Sequence, residues 1–138
     1  MQHTQARSAL NEYNSVNLQG GIIDADPHRL IQMLYDGALT RLSTAKYAMN
    51  TGKTVDKGES ISAAILIIEG LNGLLDHDVG GDIASNLSAL YGYMTRTLVE
   101  ANIHDDLNKL DEVSGLIKEV KSGWDEIKPG NMPHKEIA

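Results

Sequence analysis

ISAAILIIEGLNGLL, residues 61–75, admits two secondary structures, and the choice between them sets the fold class. The branched run Ile65-Leu66-Ile67-Ile68 has the composition of a buried strand. A strand would stop after four to eight residues or so, whereas the apolar pattern here continues through Leu71, Leu74 and Leu75. Ile61, Ile65, Ile68 and Leu75 fall on one helical stripe, and Ala63, Leu66, Ile67 and Leu74 widen its apolar arc. The stretch therefore predicts a helix from the polar connector Lys53–Gly58 to about Asp78, with more apolar surface than one face needs.

The flanking sequence repeats the helical pattern three times. Upstream, Asp26 followed by Pro27 is an N-cap with proline at the first helical position. Ile31, Leu34, Tyr35, Ala38, Leu42, Ala45 and Met49 then recur at steps of three and four, and Gly52 is the expected left-handed stop. Downstream, Gly80-Gly81 predicts a break with Asp82 as the next cap, ahead of Ile83, Leu87, Leu90, Tyr91, Met94, Leu98 and Ala101. A corner at Asn102–Asp105, capped by Asp105 or Asp106, leads to Leu107, Leu110, Val113, Leu116, Ile117, Val120 and Trp124. Lys128-Pro129-Gly130 breaks that helix.

Four amphipathic helices of roughly 20 residues, joined by short connectors, predict an all-α protein, an antiparallel up-down four-helix bundle. Residues 1–25 are read as a short N-terminal cap segment and linker, 26–127 as the bundle and 128–138 as a flexible tail. The 138 residues suit one core. With aromatics at only 4% and no Phe, that core is built from Leu, Ile, Ala and Met, as helix-on-helix packing allows.

Composition removes several function classes. A net charge of −7 without a Lys/Arg cluster disfavours nucleic acid and anionic membrane surfaces as partners. The absence of Cys rules out disulfides and thiolate metal sites and fits a reducing cytoplasm. The amino terminus lacks a signal-peptide core, and no apolar stretch is long enough to span a bilayer, so a cytoplasmic address is expected. His3, His28, His77, His104 and His134 are scattered and converge on no obvious base or nucleophile. A di-metal bundle needs Glu-x-x-His on two helices; the motif does not occur, and Asp76-His77-Asp78 reads as a helix end. Gly20-Gly21 and Gly80-Gly81 lack the spacing of phosphate-binding loops. No enzyme, no cofactor and no metal are expected.

The apolar surplus of the second helix remains. It could pack under the connector and amino-terminal segment, or it could form a groove for a helical or extended peptide. Periodicity alone leaves both open.

Four stretches carry a resemblance. They are Tyr13 with the later Asp26-Pro27-His28-Arg29-Leu30; Met33-Leu34-Tyr35-Asp36-Gly37-Ala38; Gly80-Gly81-Asp82-Ile83-Ala84-Ser85-Asn86-Leu87 continuing through Leu90-Tyr91-Gly92-Tyr93-Met94 to Leu98; and Ala101-Asn102 with Leu110-Asp111-Glu112-Val113 and Trp124. In this order and spacing they make the chain resemble the flagellin-specific export chaperone family, FliS, from about Leu10 to Trp124. Asp26 stands where Ser is common, and Gly20-Gly21 interrupts the linker. The resemblance implies a four-helix bundle with an amino-terminal cap and no catalysis or cofactor. It further implies binding of the carboxy-terminal region of flagellin, which is kept from polymerising and brought to the flagellar type III export gate.

On that reading the groove is expected on the second and third helices, with Ile65, Ile68, Leu71, Leu75, Leu87, Tyr91, Met94 and Leu98 as candidates shared between groove and core. Leu10 and Tyr13 are candidates for a lid over it. Tyr35 is read either as a binding tyrosine or, the reading preferred, as satisfying a buried polar group, and Trp124 as a core anchor. The rival reading is a structural bundle for dimerisation or signalling, and a homodimer stays open under either.

Overall fold

The computed structural model describes residues 26–127, so the expectations for the cap segment, the lid residues Leu10 and Tyr13, and the tail lie outside the described residues. Four helices follow in order: α1 (Pro27–Asn50), α2 (Thr54–Gly73), α3 (His77–His104) and α4 (Leu107–Asp125). Each packs on its neighbours in sequence, and α4 closes the ring against α1. The all-α bundle is as expected. The α1–α2 pair lies closest, helped by the buried alanines Ala38, Ala45, Ala48 and Ala64, whose small side chains let the backbones approach.

Local chemistry sets most ends. Asp26 accepts a hydrogen bond from the Arg29 amide at 2.7 Å and caps α1, with Pro27 in its first turn. Gly52 takes a positive φ of 72° after the last turn of α1. Of the two candidates at the last corner, Asp106 is the cap, accepting from the Lys109 amide, while Asp105 turns the chain in the left-handed region with φ 50°.

Three boundaries differ from the sequence reading. Helix α2 begins at Thr54 rather than after Gly58, because the Lys57 side chain is buried and draws the connector into the helix. It ends at Gly73 rather than near Asp78: Leu74 and Leu75 leave the helix and fill the end of the core, at 8% and 3% exposure. Third, Asp82 is not the first cap of α3. Asp76 caps a short turn, accepting from the amides of Asp78 and Val79 at 3.1 Å, and the glycine break sits inside α3 at Gly81 (φ 48°, ψ −123°).

The core runs through all four helices. Ile31, Leu34, Leu42, Ile61, Ile67, Ile68, Leu71, Met94, Leu98 and Leu110 are all but fully buried. Full burial of one such side chain contributes about 1.5–3 kcal/mol. Trp124, buried at 3%, ties the start of α1 to the end of α4: its Nε1 donates to the His28 carbonyl at 3.0 Å. His28 Nε2 returns a bond to the Trp124 carbonyl at 2.8 Å, and the two rings stack with centroids 4.9 Å apart.

Candidate functional site

The eight groove candidates separate sharply. Ile68, Leu71, Leu75, Tyr91, Met94 and Leu98 are core residues, exposed by 3% or less, and have no surface to offer in this conformation. Ile65 and Leu87 are half-buried against that core. The most regular stripe is the one that the interior takes, so regular spacing alone selects packing residues.

Accessible apolar surface lies in two other places, both involving α3. The first is its start. Ile83 is 59% exposed, Val79 is 64% exposed, and Leu87 and Leu90 are half-buried. Ile83, Leu87 and Leu90 continue by steps of four and three into Met94, Leu98 and Ala101. The core-facing stripe of α3 therefore runs past the covered core and into the open. Ile83, Leu87 and Leu90 were legible as stripe members; that their end of the stripe is uncovered was not.

The second place is a cleft of about 480 Å³ between α2 and α3, lined by Gly58, Glu59, Ser62, Ala63, Leu66 and Asn102. Val55 shares the α2 face of Glu59 and Ser62, and Val99 and Ile103 flank Asn102 on α3. All three are exposed. Val99 and Ile103 lie off the main stripe of α3, four residues apart, which is the one sequence signal that pointed to them.

Next to Asn102 sits a buried charge. The Lys57 ammonium donates to the Asn102 carbonyl at 2.9 Å and to the Asp105 carboxylate. Lys57 is 5% exposed, and its charge is held by the Asn102 carbonyl in the last turn of α3 and one acid, a favourable place for a cation. The contact fixes the start of α2 to the end of α3.

Deeper inside, the hydroxyls of Tyr35 and Tyr91 lie 2.5 Å apart and join α1 to α3 across the bundle. Burial pushes both phenols well above the ordinary value of 10.0. Tyr35 thus satisfies a buried polar group, as its sequence context suggested. On the surface, hydrogen bonding to Glu100 raises the Lys109 pKa, and hydrogen bonding to Asp36 raises that of Lys121. Such exposed pairs contribute little to stability.

No group of three or more His, Asp or Glu side chains able to hold a metal occurs among the described residues. Nor is any described helix long and apolar enough to cross a membrane. What the surface can do is bind: apolar side chains on ordered helices, rimmed by polar groups, suit an amphipathic segment.

Residues 9–131 match the family described as Flagellar protein FliS. The chain is 49% identical to the flagellar secretion chaperone FliSB of Pseudomonas aeruginosa, over 88% of this chain and 97% of that protein. It is 42% identical to the flagellar secretion chaperone FliS of Salmonella typhimurium, over 88% and 91% respectively. The FliS of Bacillus subtilis is 33% identical over 77% of this chain and 78% of its own.

Proposed function

The chain belongs to the FliS family of flagellar proteins, and from that membership we propose that it is a cytoplasmic export chaperone of flagellin. It binds the carboxy-terminal region of newly made flagellin, keeps it from polymerising, and presents it to the type III export gate. It acts by binding alone, without catalysis or cofactor.

The observation that carries this reading is the exposed continuation of a core stripe at Ile83, Leu87 and Leu90. A bundle that served only its own stability would gain by covering these side chains. A client segment with unpartnered apolar positions at helical spacing finds there a complementary strip, and the α2–α3 cleft toward the opposite end of α3 adds a separate patch with Leu66, Val99 and Ile103. Of the groove candidates, the half-buried Ile65 and Leu87 have surface to offer a client, and the six buried ones belong to the core.

Disordered segments that fold on a partner bury about 1,000–3,000 Å² and lose about 2–5 kcal/mol to ordering. The balance allows firm yet reversible binding without nucleotide hydrolysis. Occupying the client's stripes also hides the surface through which it would polymerise.

The test mixes the purified chain with full-length flagellin and with flagellin truncated at its carboxyl end, followed by size-exclusion chromatography with light scattering. A complex with the intact form alone is expected. Equal capture of the truncated form, or a stable dimer that binds neither, overturns the proposal.

A further inference from the structure

We infer that Gly81 is a positioning residue of the client strip: it bends the start of α3 in the free chain and straightens when a client helix docks. This inference rests on the chaperone reading above.

The backbone at Gly81, φ 48° and ψ −123°, is a conformation that side-chain-bearing residues rarely adopt. Nothing lies within 4 Å of the place where a Cβ would sit. Packing therefore does not demand glycine there; the bend alone does. The turn before the bend is self-contained. Asp76 caps it through the amides of Asp78 and Val79, and the Gly80 amide donates to the Asp76 carbonyl at 2.7 Å. Such a turn can swing as a unit about Gly81.

Straightening has a defined consequence for the surface. In a continuous helix, Val79 and Ile83 stand one turn apart on the same face, in line with Leu87 and Leu90. The bend removes Val79 from that line. Both Val79 and Ile83 remain largely exposed, so the free chain gains no burial from holding them apart. Leu74 and Leu75 meanwhile lie in the core, and Asp76 alone separates them from α3. The free state thus seals the core end, and the straight state lengthens the apolar strip by one turn, about 5.4 Å. The occupant this fits is an amphipathic helix with apolar residues at steps of three and four, long enough to cover Val79 through Leu90.

The experiment is Gly81→Ala in the full chain, with calorimetric titration of a peptide spanning the flagellin carboxy-terminal region. Alanine favours helical backbone over glycine by about fivefold, and apparent affinity scales with the fraction in the competent state. Because alanine is also strained in the bent backbone, affinity is expected to rise at least about fivefold without a rise in melting temperature, and Val79→Ser in the same background should cancel the gain. Unchanged or weaker binding by G81A overturns the inference, because a bend that only ends the bundle gives no gain. Should G81A fail to fold, hydrogen exchange on the unaltered chain decides: amides of residues 81–85 become more protected with peptide bound, and equal exchange in both states overturns the inference. Failure of the unaltered chain to bind the peptide is a separate result, and it removes the chaperone reading and the inference together.

Discussion

The two ends of α3 are built on opposite principles. At the His104 end, a buried ammonium from Lys57 holds the Asn102 carbonyl and the Asp105 carboxylate, and Asp106 starts the next helix at once. Directional bonds fix the geometry there. At the His77 end, the closure is apolar: Leu74 and Leu75 fill the core, one capped turn follows, and the helix breaks at Gly81. Apolar contact is non-directional, and the directional bonds of the Asp76 cap and the Gly80 amide stay within one turn. One end of the α2–α3 pair is pinned and the other can yield. Under the proposed function, a surface that accepts a foreign helix and later releases it benefits from that asymmetry.

Substitutions can break this contrast. The largest effect is expected at the apolar end: Leu75→Ala should lower unfolding stability by about 2–5 kcal/mol in chemical denaturation, through lost burial and an unfilled cavity. A loss below about 1 kcal/mol would mean that the core end collapses around the gap and seals nothing. At the pinned end, Lys57→Met keeps the packed stem but leaves the Asn102 carbonyl without its ammonium partner. Asp105 is largely solvated, so the expected loss is about 1–3 kcal/mol, nearly all of it from the carbonyl. A smaller loss in Asp105→Asn than in Lys57→Met supports that division; the reverse order contradicts it.

Between the two ends, the Tyr35–Tyr91 pair gives a pH signature. Burial raises both phenols in the folded state above the ordinary 10.0, so the fold binds more protons than the unfolded chain above that pH. Stability from this source is complete below pH 10 and falls as pH rises beyond it, by about 1.4 kcal/mol per pH unit for each hydroxyl that stays protonated. Urea titrations between pH 9 and about 11 should show this slope, reduced in the Tyr35→Phe, Tyr91→Phe double variant. An unaltered slope would assign the loss to other groups. Tyr35→Phe alone should lower the melting temperature more than it lowers client affinity.

The smallest effect compares the caps. Asp76→Ala and Asp106→Ala each remove a side-chain acceptor for helix amides and should cost about 0.5–2 kcal/mol. If the His77 end yields readily, Asp76→Ala should also speed hydrogen exchange across residues 77–81, whereas Asp106→Ala leaves residues 101–106 protected by the Lys57 contacts. Equal local effects at both corners would remove the contrast.

Much of the fold was legible in the sequence because caps, glycines and apolar spacing act locally. Asp26-Pro27 and Gly52 bracket α1 as read, and the helix assignment of residues 61–73 survives their branched composition. The misplaced boundaries share one cause. Lys57 looks like connector until its partners at Asn102 and Asp105, distant in sequence, are known; Leu74 and Leu75 look like a further helical turn until the end of the core is known to need them.

The candidate site was less legible for the same reason. Ile68, Leu71, Met94 and Leu98 fit a groove as well as a core by spacing, and burial assigned them to the core. Ile83 carries the same spacing and stays exposed. Sequence alone determined the order and faces of the described helices, because each follows from neighbours a few residues apart, and it carried the family through stretches spread along the chain. The break at Gly80-Gly81 was legible in the sequence, whereas which apolar residues are covered and where a charge can be buried were decided only in three dimensions. A side chain's exposure depends on what stands opposite it, and the facing helix is dozens of residues away along the chain.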